Sequence, residues 1–215
     1  MTETHMLFFS RAGDEAPGAF GARVRGVATD LAADPRATAV VAFADDGAVG
    51  APAEASAFPS TYAGVVLVSG VPGADLPAAD AACRMQRRVV KGRTRGRDGA
   101  RSPGFTIVCP SVRRPDITHD QFDAHWRDVH SKVHVDSSPG TCHYEQLVID
   151  EWLTPDAPAW DGVGLLSVAS ERDYTERFFG PGGMEAIYAD IPNFLDLERG
   201  ETLPASEFVY CDDAA

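Results

Sequence analysis

The chain has 215 residues, 44% apolar and 24% charged, enough for an ordinary core and unlike a disordered or fibrous protein. A net charge of −13 argues against a nucleic-acid binder. With no run of 18 apolar residues, and no basic n-region or long apolar stretch in MTETHMLFFSRAGDEAP, neither a membrane span nor a secretory signal is expected, and the expected location is cytoplasmic.

In chain order, HMLFFSR (5–11) reads as a strand, GAFGARVRGVATDLAAD (18–34) as a helix and ATAVVAF (37–43) as a second strand. A third strand starts at Tyr62-Ala-Gly64-Val65, a helical stretch follows, and RRVVKGR (87–93) closes the block. After a Gly/Arg/Pro-rich joint at 92–104 the order repeats. FTIVCPSVR (105–113) is a strand, HDQFDAHWRDVHSKVH (119–134) a helix and CHYEQLVI (142–149) a strand. Trp160-Asp-Gly162-Val163 opens the next strand, a helical stretch follows, and SEFVYC (206–211) is last. Each half reads βαββαβ, the ferredoxin-like order, with helices on one sheet face. The fold class expected is therefore α+β, with halves at 1–98 and 103–212 whose bare sheet faces cover each other.

Residues 84–101 hold eight of the nineteen basic residues and one acid, Asp98. They read as a solvated edge strand and linker; recruitment of an anionic substrate is the other reading. The four cysteines, Cys83, Cys109, Cys142 and Cys211, show no CxxC spacing and read as reduced thiols.

The helix at 119–134 carries the densest chemistry. Thr118 with Gln121 fits a capping box. At 100° per residue Phe122, Trp126, Val129 and Val133 form one apolar stripe. His125 borders one flank of it, and His130 borders the other, beside Asp123 and His134. Asp128, three residues from His125, is placed to hold its ring. His130 and His134 stand at i, i+4, but no third ligand is placed with them, so no metal is expected. In an alternating strand Tyr144 and Gln146 point one way and can meet the histidines across a small pocket. An offset of 102 sets Arg23, Val24, Ala28, Ala42 and Ala44 of the first half against His125, Trp126, His130, Tyr144 and Gln146 of the second. The first half shares the skeleton without the polar groups, so one site is expected, in the second half.

At RRPDITHDQFDAHWRDVH (113–130), Tyr144-Glu-Gln146 and FFGPGGMEAIYADIPNFLDLERGE (178–201), with Asp190-x-x-x-Phe194-x-Asp196, the second half resembles the EthD family over roughly 103–212. Glu207 on the last strand belongs to the same resemblance. It implies a dimeric α/β barrel, here an intramolecular one, with a pocket between sheet and helices. Two departures stand out: Val148 replaces a histidine that many members carry, and HSKVH replaces the usual small-Pro-Leu continuation. The resemblance also implies chemistry without metal or organic cofactor.

Together these readings give a cofactor-independent lyase, cyclase or isomerase, acting on a small apolar, aromatic or polyketide-like carbonyl compound, for example by dehydration. His130 is the first candidate base and His125 the second, with Tyr144 as donor to the enolate. Trp126, Gln146, Phe122 and Asp128 are the candidate substrate contacts. The alternatives are a non-catalytic ligand-binding or accessory protein, and a haem-binding or monooxygenase member of the same superfamily. The expected partner is a small-molecule substrate, with no nucleic acid and no membrane; a further homodimer is left open.

Overall fold

The computed structural model describes residues 2–56, 58 and 60–213. Eight antiparallel strands close into a barrel in the order β1-β3-β2-β8-β5-β7-β6-β4. The first four are β1 (Thr4–Phe9), β2 (Ala39–Ala44), β3 (Gly64–Ser69) and β4 (Ala81–Lys91). The second four are β5 (Phe105–Ser111), β6 (Thr141–Trp152), β7 (Gly162–Val168) and β8 (Leu203–Asp212). The ring closes where β2 pairs β8 and β4 pairs β6. β2 and β4 are thus paired along both sides, which leaves no exposed edge there.

Alternation along the strands sorts the core into layers. Inside the barrel, Met6 and Phe8, Val41 and Phe43, Val65 and Leu67, Leu147 and Ile149, and Val163 and Leu165 form one buried cluster. Tyr62 and Trp160 join it, their rings 5.8 Å apart edge to face. Outside the first half, helix α1 (Pro17–Ala32) lays Phe20, Val24, Ala28 and Leu31 on Leu7, Val40, Ala42 and Val66. Burying a phenylalanine such as Phe20 contributes about 2–3 kcal/mol.

Outside the second half lie α2 (His119–His125), a π-helical turn (Trp126–His130), α3 (Ser131–Ser137), α4 (Glu171–Arg177) and α5 (Gly183–Asp190). Thr118 and Gln121 make the capping box in both directions.

Three expectations need correction. The helical stretch between β3 and β4 is a single 3-10 turn, Gly73–Asp75. Pro72 and Pro77 flank it, and each removes a backbone donor and disfavours helix before it. Next, β4 is no edge strand, being paired to β1 and β6, and its basic segment does not stand in solvent as a block. Arg87 forks onto Glu145 at 2.6 Å and Asp212 at 2.9 Å. Arg93 reaches Glu207 at 2.9 Å, and Arg95 contacts Glu145, Glu207 and Asp212. Glu145, Glu207 and Asp212 are all buried, so these arginines compensate interior acids instead of waiting for an anionic substrate. The third correction concerns the helix stripe. Val129 is 43% exposed and Val133 half-buried, whereas His130 and His134 are buried. A π turn inserts one residue into the helical repeat and so rotates everything after it by about one residue, near 100°. The buried face becomes Phe122, Trp126, His130, His134.

All four cysteines are unpaired. Among the described residues no helix is long and apolar enough to cross a membrane.

Candidate active site

Beneath the π turn, the outer face of β5, β6 and β7 forms the floor of a cavity of about 250 Å³. The glycine at 162 makes the approach possible: a Cβ there would lie 2.5 Å from the Trp126 ring. The π turn also gives Trp126 a carbonyl with two partners. It accepts the Ser131 N–H, five residues on, and the Gln146 amide at 2.8 Å.

Gln146 and Trp126 both serve Tyr144. The indole Nε1–H donates to the Tyr144 oxygen at 2.9 Å, and the Gln146 amide donates at 3.0 Å. Tyr144 therefore accepts twice and keeps its own proton free for a third partner. Burial pushes its pKa well above the ordinary tyrosine value, so the hydroxyl stays protonated. Tyr144 and Trp126 line the cavity.

Asp190, at the end of α5, gathers both candidate histidines. Its Oδ1 lies 2.8 Å from His125 Nε2 and its Oδ2 2.8 Å from His130 Nδ1. Burial works against the Asp190 charge, but hydrogen bonds from His130 and His125 outweigh it and hold the carboxyl below its ordinary range. With Asp190 ionised, His130 donates through Nδ1–H, so Nε2 carries the lone pair. His130 lines the cavity, and among the described residues its Nε2 has no hydrogen-bond partner. Burial keeps His130 below the ordinary histidine pKa although Asp190 pulls it up, so the ring is neutral near pH 7. Phe194 wedges between the histidines, 4.9 Å from each ring.

His134 stands next along the rotated face, its ring 4.4 Å from that of Tyr144 and its Nε2 3.3 Å from Thr141 Oγ1. Burial pushes it down to about 3. It lines the cavity as a neutral hydrogen-bonding group. Among the described residues no group of three or more His, Cys, Asp or Glu is arranged to hold a metal ion.

The expected site residues thus divide. His130, Tyr144 and Trp126 line the cavity together. Gln146 sits behind them as a support, and Phe122 is fully buried against Trp126, Val148 and Phe194. Val148, in the place of the absent histidine, is ordinary core. His125 is half-buried, does not line the cavity, and lies on the same side as His130 rather than the opposite flank. Asp128 does not hold His125; it pairs with Arg127 at the surface. Asp190 takes that role. Its signal in the sequence was the Asp190-x-x-x-Phe194 spacing, which gave a motif but no function. His134 was missed because an α-helical phase puts it off the buried stripe. Glu54, Ala55 and Phe58, from the first half, also line the cavity, and no motif marked them.

Comparison with known proteins agrees with the resemblance read at 113–130, 144–146 and 178–201. Residues 114–198 match the EthD domain, which therefore occupies the core of the second half. No curated protein matches the chain. Among solved structures, an anthrone oxidase-like protein superposes with a TM-score of 0.59 at 8% identity, covering 100% of this chain and 97% of that one. A proposed monooxygenase from Lactobacillus acidophilus NCFM gives 0.52 at 9% identity, over 96% and 93%. At such identities the likeness shows the α/β barrel fold.

Proposed function

We propose, from the EthD domain at 114–198 and the cavity beneath its π turn, that this protein is an enzyme that removes a proton α to a carbonyl of a small, largely apolar, aromatic or polyketide-like compound. One observation carries the reading. His130 is anchored at Nδ1 by Asp190, its Nε2 has no hydrogen-bond partner among the described residues, and it shares the cavity with a doubly hydrogen-bonded Tyr144 hydroxyl. His130 Nε2 takes the α-proton, and the Tyr144 O–H donates to the carbonyl oxygen as the enolate forms. His130, now protonated, returns the proton to a β-hydroxyl, which departs as water; without a leaving group the same steps isomerise the substrate or let a ring close. Asp190 stabilises the imidazolium, and His125 holds the other oxygen of Asp190. Acid–base help of this kind is worth about 10²–10⁴-fold in rate.

The chain reads further as a fused pair, halves 1–98 and 103–212 related by a pseudo-two-fold. Support comes from matched details. A Cβ at Gly64 would meet Phe20 and Val24 at 2.9 Å, as one at Gly162 meets Trp126. Tyr62 and Trp160, which open the matching strands, touch each other in the barrel interior.

The test is deuterium exchange. A panel of aryl ketones in D2O, followed by NMR, should show enzyme-dependent exchange at the α-carbon, lost in His130→Ala. Binding without exchange would favour an accessory role. The names of the structural neighbours favour a second outcome of the same deprotonation, reaction of the carbanion with dioxygen. An oxygen electrode separates it from water loss.

A further inference from the structure

The loop between β2 and β3, residues 45–63, is nineteen residues long, whereas its counterpart between β6 and β7, residues 153–161, has nine. Unstructured loops of that length are uncommon in compact domains and usually carry a task. The first residues of this one touch the first half, Asp45 pairing with Arg11 and Asp46 with Arg25, but its turn reaches the second half. Its 3-10 turn, Ala53–Ser56, places Ala55 in a buried cluster with Phe105, Ile107, Val168 and Phe178, all from the second half. Val49 and Ala51 pack against the same cluster. Glu54, Ala55 and Phe58 line the cavity that holds His130 and Tyr144.

The loop is fastened at both ends by groups outside the first-half sheet. Arg101, on the joint between the halves, donates to the carbonyls of Ala48 and Val49 at 2.6 and 3.1 Å and to Ser206 at 2.9 Å. Beyond the turn, the Phe58 carbonyl accepts from the Thr202 N–H at 2.7 Å and its hydroxyl at 3.1 Å. Thr61 is held by both oxygens of Glu201. Glu201 and Thr202 themselves line the cavity.

We infer that the site is composite: the first half, which lacks the polar residues, supplies through Ala55 and Phe58 the wall that sets the size of the ligand admitted to the second half. Ala55 is the small residue that leaves room against Ile107 and Phe178. Phe58, 40% exposed, is a part of that wall that also faces solvent. The ligand class that fits is a flat, apolar ring system whose polar edge is turned inward, toward His130, His134 and Tyr144. The choice of ligand rests on the reading of the cavity as a substrate site; the wall itself does not.

Two variants of opposite sign and two independent readouts test this. Ala55→Leu narrows the cavity and Phe58→Ala opens it. The first readout is the rate of carbethoxylation of His130 and His134 by diethyl pyrocarbonate, measured by peptide mass spectrometry relative to His119, which does not line the cavity. The second is quenching of tryptophan fluorescence by 1-tetralone and by the larger 9-anthrone. Phe58→Ala should speed modification of His130 and His134 about tenfold. Ala55→Leu should slow it, and should weaken 9-anthrone at least tenfold more than 1-tetralone. If neither ketone quenches wild type while the modification rates move in opposite directions, the wall stands and the substrate assignment falls. If Phe58→Ala leaves modification within twofold of wild type, or Ala55→Leu weakens both ketones equally, the composite site is overturned. Thermal midpoints on the same samples identify an unfolded variant. In that event Ala55→Val, which adds less volume, must give the same order of probe discrimination or the inference fails.

Discussion

His130 Nδ1 lies 2.8 Å from Asp190 Oδ2, while the other oxygen of the same carboxylate is 2.8 Å from His125. One carboxylate therefore fixes two rings, but only His130 reaches the cavity. Asp190→Asn should lower turnover about 10²-fold. It should also move the acid limb of the pH–rate profile downward, because Asp190 is the group that raises His130 against burial. A limb that stays in place would mean that the pair is structural only.

His125→Ala should cost less than His130→Ala, and the double variant less than the sum of the singles, since both act through Asp190. Turnover of the three proteins, set beside their thermal midpoints, decides it. A double variant at full rate would remove the helix from the mechanism.

Tyr144→Phe leaves the Trp126 indole and the Gln146 amide without their shared acceptor. Each orphaned buried donor costs about 1–3 kcal/mol, so the thermal midpoint should fall together with activity. Gln146→Leu removes both hydrogen bonds of that amide but leaves each acceptor a second donor, the Trp126 indole for Tyr144 and the Ser131 N–H for the Trp126 carbonyl, and should destabilise less. Denaturant titration of both variants orders them.

The barrel interior predicts a one-sided pH response. Glu145 is pushed up by burial but pulled further down by Arg87 and His143, and Asp212 is likewise held low by Arg87 and Arg95. A carboxylate with a depressed folded pKa stabilises above its ordinary value, and that contribution is lost as pH falls through the folded one. His130 and His134, kept neutral by burial, add the same sign below their ordinary 6.5, because the unfolded chain then takes up protons that the folded chain refuses. The thermal midpoint should therefore be flat above about 7 and decline below, steepening under the ordinary Glu value of 4.5. Arg87→Met should cost about 3–5 kcal/mol at neutral pH, because it uncovers buried acids. A midpoint insensitive to pH between 7 and 4 would contradict this account.

Much of the strand order was legible because the apolar runs are short and bounded by turn formers. β1, β2, β5 and β6 fall where HMLFFSR, ATAVVAF, FTIVCPSVR and CHYEQLVI put them, to within a few residues. The histidine helix was legible too, with its cap, but its inner face was not. A π turn leaves no mark in hydrophobic phase, so Val129 was placed inside and His134 outside. The basic run at 84–101 misled for a related reason. A sequence shows charge but not the acids that face it, and Glu145, Glu207 and Asp212 come from strands far along the chain. The loop at 45–63 carried no periodic signal, and its reach into the other half is a tertiary fact.

The closed ring has a consequence for how the protein is made. β2 and β4 are edges until β8 and β6 arrive, and the last strand to emerge, β8, supplies both a neighbour for β2 and the acids that quench Arg87 and Arg95. While residues after 140 are still being synthesised, the nascent first half presents two unpaired strand edges, and Arg87 and Arg95 lack their counterions. Long-range pairing of this kind is slow to form and exposed to capture by other chains. A second chain that has been completed but has not yet closed its own barrel offers the missing strands in the right register. The competing product is therefore a swapped dimer, in which the second half of each chain closes the barrel of the other.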